Sequence, residues 1–565
     1  MKKRLTSLLL AALIAASAAG CSGGGAASTA ESAGGTGSEG SASGGEAVND
    51  AVWDPYTPYP ETISFTKGVV KGSNTFPEGD DFSNNVYTRF VEEQLNVKTE
   101  IAWEVDANNE SQKIALAIAS KTIPDMMVVD RKIFKQLIDN DLIWDMTEAY
   151  EKCISPFLKE QYDTYGDRLF DEVTVDGRMM GIPATNIGYC HNVLWIRKDW
   201  LDKLGMEPPE TVDDVVNLAR AFVEQDPGGN GAGNTVGLTA TEKLYNGYNS
   251  RFGVDTIFAA FGAYPGSWVQ DEEGNTVYGS TMEGMKPALE LLRDLYAEGI
   301  LDKEFAVRTG EDRDALLASG QMGMYFGTWW PAGGHTAAVE NNPDADWIAV
   351  SAPVNEKGKL TTPENDPLAG IVVVSKDYEH PEAIVKCLNV GYDILRGNGE
   401  AGAEGYAEWT ELCPSIGWNA MPIPIAIDYN NAVEVVRDDI LNALEADDVS
   451  VMKSKGFEAD YERIKQELEN PRQNIDNYLS YQARIVGATA AMDENLEFVP
   501  AAYFGTTDTM ATKWTNLQTL ETETLLQIVM GEKPIEEFDS FVEQWYSLGG
   551  QEIIDEIDAE LAARG

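Results

Sequence analysis

The chain is poor in positive charge and in histidine. Its 565 residues carry 42 Lys and Arg against 93 Asp and Glu, a formal charge of −51. No cationic face can dominate in such a balance, which excludes nucleic acid as a partner and disfavours anionic lipid surfaces. Polyanionic ligands are disfavoured less strongly. The three histidines, His191, His335 and His380, give no basis for His-rich metal chemistry, and no HExxH motif occurs. Cysteine is scarce too, with five residues and no CxxC spacing. That is no disulfide framework, and Cys153, Cys190, Cys387 and Cys413 read as isolated buried thiols rather than bridges. Long apolar runs are also missing, since no stretch approaches the ~20 residues that span a bilayer. Against these absences stands a hydrophobic fraction of 43%, enough for a large core over two to four domains.

The first 21 residues read as an address. Lys2, Lys3 and Arg4 precede an apolar run from Leu8 to Ala19, and small residues lead into Ala18-Ala19-Gly20-Cys21. A basic start, a short apolar segment and small residues make a secretory signal. The small-small-Cys ending resembles the bacterial lipobox, in which the cysteine is diacylated and becomes the first residue. The alternative is an ordinary signal peptide with Cys21 incidental. Residues 22–52 read as a tether, almost wholly Gly, Ser, Ala, Thr and Glu as far as residue 47. A coil of that length reaches about 28 Å, enough to hold a folded body off a membrane. Gly35-x-Gly37-x-x-Gly40 and Gly20-x-Ser22-x-Gly24 match nucleotide and nucleophile motifs by composition only, because neither joins a strand to a helix. Gly397-x-Gly399-x-x-Gly402 fails in the same way, following a helical stretch.

From about Trp53 the pattern is that of an α/β protein. Thr211-x-x-Asp214 forms a capping box ahead of Val215, Val216, Leu218, Ala219 and Phe222, and Asp226-Pro227-Gly228 ends that helix. A second helix runs from about Pro287 to Gly299, which caps it. Short apolar strands read at Asp125–Val129, Met322–Phe326, Trp347–Val350 and Ile371–Val374, the last buried on both faces. Val193–Leu204 reads as a strand running into a helix, with Trp195 and Trp200 as packing residues. Strands alternating with helices predict parallel-rich sheets.

Several strings, taken in order, resemble the solute-binding lipoproteins of ATP-driven importers, in the large oligosaccharide branch that takes aldouronates and alginate. They are Ile123-Pro124-Asp125, Asp176–Pro183, Leu194–Leu201, Leu295–Phe305, Tyr503–Met510, Met530–Pro534 and Leu548-Gly549-Gly550. The resemblance implies a periplasmic-binding-protein-like type II fold: two α/β lobes joined by hinge strands, with the ligand in the cleft. It places lobe 1 at residues 53–187 plus 369–420 and lobe 2 at 188–368 plus 421–565. Crossings are expected near 186–192, 362–370 and 415–430. It further implies a non-enzymatic monomer at the outer face of a bacterial cell membrane, lipid-anchored and docking on ABC permease transmembrane subunits.

A sugar offers an apolar ring face and a rim of hydroxyls, so its site needs flat aromatic platforms and paired polar groups. The chain holds 13 Trp. Met324–Pro331 resembles the family's loop in which a strand ends at the cleft and a tryptophan stacks on sugar. Trp329 is the first choice as platform, with one of Trp329 and Trp330 expected in the core. Asn186, Tyr189 and Asn192 offer hydrogen bonds at the first crossing, and Arg197 offers a fork to hydroxyls or a uronate, or else an interlobe ion pair. Trp103 and Trp418 are second platforms or core residues, and Asp125 is a hydroxyl acceptor or a helix cap. The family often carries a calcium loop where this chain has Asp226-Pro227-Gly228-Gly229-Asn230-Gly231-Ala232-Gly233-Asn234. Asp226, Asn230 and Asn234 keep oxygens there, but a single carboxylate suits a Gly-rich turn as well as calcium.

Three functions compete at this point. One is a receptor that captures an oligosaccharide by closing and delivers it to a permease. A second is an extracellular glycoside hydrolase, for which no carboxylate pair is singled out. The third is a lipoprotein that presents bound sugar to a signalling receptor.

Overall fold

In the computed structural model, Ile371–Val374 is buried on both faces within the first sheet. The structure describes residues 53–565 apart from 189, 248–249, 272, 399–408, 410–411, 413–414 and 565. The expectations for Cys21, the tether, Tyr189 and Cys413 therefore fall outside the described residues. The strands in chain order are β1 (Ile63–Lys71), β2 (Val97–Asp106), β3 (Met126–Val129), β4 (Thr174–Val175), β5 (Arg178–Met179), β6 (Ile182–Thr185) and β7 (Val193–Arg197). They continue as β8 (Trp268–Gln270), β9 (Thr276–Tyr278), β10 (Met324–Gly327), β11 (Trp347–Val350), β12 (Leu360–Pro363), β13 (Leu368–Val374) and β14 (Leu496–Val499).

The first sheet has the order β2-β1-β3-β13-β6. β1 is parallel to β2 and β3, whereas β13 runs antiparallel to both β3 and β6. The second sheet, β10-β7-β11, is antiparallel throughout, which corrects the expectation of parallel-rich sheets there. Its direction is set from outside: β7 enters the second lobe from a crossing, while β10 and β11 run back toward it. Alternation along β7 then feeds two cores. Leu194 and Ile196 pack with Trp200, Phe222 and Leu292 on one face, and Val193 and Trp195 pack with Tyr325, Trp347 and Tyr478 on the other. Burying each such side chain is worth about 1.5–3 kcal/mol, so the sheet is fixed from both sides.

Helices begin and end where local chemistry dictates. Thr211 accepts from the Asp214 N–H and Asp214 accepts from the Thr211 N–H, opening the helix Val212–Gln225. The helix Met285–Glu298 ends at Gly299, whose left-handed backbone places no Cβ under strain.

Two large cores result. The first gathers Phe65, Val97, Met126, Leu137, Ile182, Ile371–Val374 and Ile384. Met421, Ile423, Ile425 and Ile427 also belong to it, although the sequence reading put the second lobe's segment from residue 421. Their alternation with Pro422, Pro424 and Ala426 was a period-two signal for burial on one side. The second core gathers residues from Leu194 to Ala352 and from Ala502 to Ile557. Cys153, Cys190 and Cys387 are buried free thiols.

Candidate functional site

Three segments carry the chain between the cores, and hydrogen bonds tie them to one another. The Asn186 N–H donates to the Pro367 carbonyl at 2.9 Å, and Asn365 Nδ2 donates to the Gly188 carbonyl at 3.1 Å. The Gly188 N–H donates to Asn430 Oδ1 at 3.1 Å, and the Asp428 N–H to Thr185 Oγ1 at 2.9 Å. A Cβ at Gly188 would lie 2.4 Å from Asn430 Oδ1, so any larger residue there would push the Asn430 side chain out of this hydrogen bond. Arginines of the first lobe brace the second segment. Arg131 grips Asp366 with both terminal nitrogens at 2.7 Å, and Arg168 pairs with Glu364.

Each sheet turns one edge of strand ends toward these crossings, and such edges are where ligands settle in open α/β sheets. In the first sheet that edge holds the C-terminal ends of β1, β3 and β6 and the start of β13, because Ile371 pairs with Val129 and Leu368 with Thr185. In the second sheet it holds the start of β7 and the end of β10, since Gly327 pairs with Val193.

Of the 13 tryptophans, two are exposed: Trp330 at 41% and Trp418 at 38%. They stand on opposite edges. Trp418 sits beyond β1, where its neighbour Asn419 donates to the Val70 carbonyl at 2.7 Å. The buried Lys67 ammonium donates to the Asn419 carbonyl at 3.1 Å and to that of Met421 from below, and burial pushes its pKa down to about 7. Trp330 follows β10 and lines a 380 Å³ pocket with Asn246, Ser250, Arg251 and Thr328. Its partner Trp329 is half-buried, with ring centroids 5.0 Å apart at 84°. The Arg484 guanidinium lies 5.0 Å over the Trp329 ring, and the Trp329 carbonyl packs against Gly487. The more open ring of the pair is therefore Trp330, not Trp329.

The remaining expected residues divide. Asn186 is exposed at the first crossing. Asn192 is fully buried and works on the chain itself, its Oδ1 accepting from the Ser250 N–H at 3.1 Å and its Nδ2 reaching the Gly247 carbonyl. It shapes the loop that lines the Trp330 pocket rather than facing solvent. From beneath that loop, Asp255 accepts from the N–H groups of Asn246 and Gly247 at 3.3 and 3.1 Å. Burial pushes the Asp255 carboxyl up to about 7.

Arg197 is not placed for a ligand. It is buried, holds Asp199 through two hydrogen bonds of 2.6 Å, and lies between the Trp200 and Trp347 rings. It ends β7 four residues past the crossing edge, about 13 Å along the strand. Asp125 precedes β3 at the opposite edge from the crossings, and its carboxylate accepts from the Thr66 N–H and hydroxyl, both at 2.8 Å. Trp103, on β2, packs its half-buried ring over Gly68 and lines a separate 140 Å³ cavity.

The Asp226 loop closes on itself. The Asp226 carboxylate accepts from the Thr235 hydroxyl at 2.6 Å and from the N–H groups of Asn230 and Gly231 at 3.0 and 2.8 Å. The Thr235 hydroxyl bond is the foremost cause holding its pKa below the usual range. Asn234 Nδ2 donates to the Asn230 carbonyl at 2.9 Å. Donors converge here where calcium would need six to eight oxygens, so the loop does not fit that ion. Among the described residues no cluster of three His, Cys, Asp or Glu is placed to hold a metal. Burial pushes His191 down to about 4 and His335 to about 3, leaving both neutral core residues.

One more cavity, of 710 Å³, lies between elements of the two cores. Asp130, Arg131 and Glu172 line it from the first, and Tyr503, Phe504 and Thr507 from the second. None of the expected site residues reaches it. The string Tyr503-Phe504-Gly505-Thr506-Thr507, two aromatics and a glycine before the Thr507 cap, was its sequence signal.

Residues 74–392 match the profile of the bacterial extracellular solute-binding protein family. Lipoprotein LipO of Bacillus subtilis is 26% identical over 305 residues, 52% of this chain and 57% of that protein. The fructooligosaccharide ABC transporter substrate-binding protein FusA of Streptococcus pneumoniae is 26% identical over 245 residues, 40% of this chain and 44% of its own length. The matches thus span about half the length of these curated relatives. Among solved structures, an HMO-binding solute-binding protein of Bifidobacterium longum infantis superposes with a TM-score of 0.57 at 16% identity, covering 88% of this chain and 98% of that one. That likeness establishes the fold.

Proposed function

The chain belongs to the bacterial extracellular solute-binding protein family, and from this we propose that it captures an oligosaccharide between its two lobes and passes it, chemically unaltered, to an ABC permease. The observation that carries this reading is the pair of exposed tryptophans, Trp330 and Trp418, on the two strand-end edges that border the crossings. Indole faces cover the apolar face of a pyranose, while hydroxyls at the rim are met by polar side chains such as Asn186, Asn246 and Ser250. A ligand touching both edges gains contacts only when the lobes approach, so binding favours the closed population. Three crossing segments joined by hydrogen bonds restrict that motion to a hinge.

Among the described residues no helix is long and apolar enough to cross a membrane. In this proposal the attachment is instead a diacylated Cys21, with residues 22–52 as the tether of a monomer held at the outer face of the cell membrane. The test is a thermal-shift screen of xylo-, manno-, gluco- and uronate oligosaccharides, followed by analysis of the recovered sugar. A ligand at a hundred times its Kd stabilises the native state by about 2.7 kcal/mol, a readily measured rise in Tm. Shortened product sugars would instead indicate a hydrolase, and a flat response to the whole panel would remove the proposal.

A further inference from the structure

One wall of the 380 Å³ pocket beside Trp330 holds a buried cation. Arg313, in the helix Gly310–Ala318, lines the pocket with a side chain only 4% exposed. Its Nε donates to the Ala240 carbonyl and its Nη2 to the Phe305 carbonyl, both at 2.9 Å. These two bonds, to separate stretches of backbone, fix the plane of the guanidinium. Nη1 has no acceptor among the described residues. A polar group so deeply placed is costly to leave unmatched. Glu242 lines the same pocket, with a carboxylate oxygen 3.9 Å from Arg313 Nη2 and a side chain 57% exposed. The Ala240 bond anchors the chain two residues before Glu242, so one arginine holds both the donor and the segment that carries the acceptor.

Resting on the carbohydrate reading above, we propose that Arg313 and Glu242 are specificity residues that select an uncharged sugar unit in the Trp330 pocket. One hydroxyl of that unit accepts from Arg313 Nη1 and donates to the Glu242 carboxylate. Among the groups a sugar carries, a hydroxyl both donates and accepts, so it serves the two charges at once. A carboxylate on the ligand does not fit. It calls for two parallel N–H donors, and Nε and Nη2 are already engaged by carbonyls. It would also stand against Glu242. The pocket's other arginine, Arg251, is matched as well, with Asp314 Oδ2 3.4 Å from its Nη1. Bonds to charged partners are about twice as strong as neutral ones, and a donor already held in place loses little freedom on binding. A sugar lacking that hydroxyl leaves the buried donor unpaired, which is how such a site rejects a deoxy analogue.

The experiment is calorimetric titration of the full chain with xylotetraose, mannotetraose, cellotetraose and tetragalacturonate, then with the single-deoxy derivatives of the neutral sugar that binds most tightly. At least one derivative is expected to bind about ten-fold more weakly than its parent sugar. That penalty should fall to about three-fold in Glu242→Ala, where only the Arg313 bond remains, while the penalties at other positions stay as they were. Arg313→Lys, which loses the fixed plane, should shrink the same penalty. If that variant does not fold, Glu242→Ala decides, because its side chain is mostly exposed. A purely structural role for the pair would weaken parent and deoxy sugars alike and leave every penalty unchanged. No penalty for any derivative, penalties unaltered in Glu242→Ala, or binding of tetragalacturonate in place of the neutral sugars would each overturn the inference. Failure of neutral and acidic oligosaccharides alike would instead remove the carbohydrate reading on which it rests.

Discussion

Asp255→Asn separates the loop's packing from its electrostatics. Asp255 is fully buried at the start of the helix Asp255–Ala260, and its carboxylate accepts two backbone N–H groups of the 246–251 loop. Burial pushes its pKa up to about 7, whereas the unfolded chain titrates it near the ordinary carboxylate value. Between those values the folded state binds the extra proton. This contribution to stability is therefore full below about pH 4, falls as pH rises, and is gone above about pH 7. The total is about 4 kcal/mol, lost at up to about 1.4 kcal/mol per pH unit. The asparagine side chain carries no charge at any pH and keeps one acceptor, which costs about 1 kcal/mol for the lost bond. The variant is thus expected to be less stable than the parent near pH 4 and more stable by about 2–3 kcal/mol near pH 8. Urea unfolding of both proteins from pH 4 to 8 measures the difference, in which the other titrating groups cancel. A difference independent of pH would refute the reasoning, since the carboxyl would then titrate alike in both states.

Other expectations are more direct. Trp330→Ala and Trp418→Ala should each cost about 1–2 kcal/mol of oligosaccharide affinity, roughly five- to thirty-fold by calorimetry, with some fall in Tm from the covered part of each ring. Gly188→Ala forces the Asn430 side chain aside and removes the acceptor of the residue 188 N–H, so Tm should fall by an amount matching about 1 kcal/mol, whereas Gly310→Ala, with open space around it, should not lower Tm. Asn192→Ala strips the part-buried Ser250 N–H of its acceptor. A loss of about 1–3 kcal/mol in stability is expected, and affinity should fall as the loop beside Trp330 loosens; unchanged affinity would detach that loop from the site.

Local chemistry made much of the fold legible. The Thr211 capping box, the Gly299 cap and the strand Trp347–Val350 all depend on neighbours within a few residues, and the structure has them where the sequence put them. The buried run Ile371–Val374 was legible for the same reason. What failed was non-local. The direction of β7 against β10 and β11 follows from where the chain crosses, which no window of sequence contains.

The fate of polar residues was equally non-local. Asn192 is consumed by a loop 58 residues away, and Arg197 by Asp199 and two rings at the wrong end of its strand. Trp329 and Trp330 are adjacent and chemically identical, so only the arginine that arrives from residue 484 tells them apart. Asn186 and Trp418 are among the candidates the sequence offers, and both are exposed.

Small-angle scattering of the full chain, alone and saturated with the oligosaccharide giving the largest thermal shift, addresses the hinged capture itself. The account predicts a smaller radius of gyration with sugar bound, and a loss of that contraction at the same sugar concentration in the Trp330→Ala/Trp418→Ala double variant. Saturation with no change in dimensions, or a contraction indifferent to both tryptophans, would contradict it.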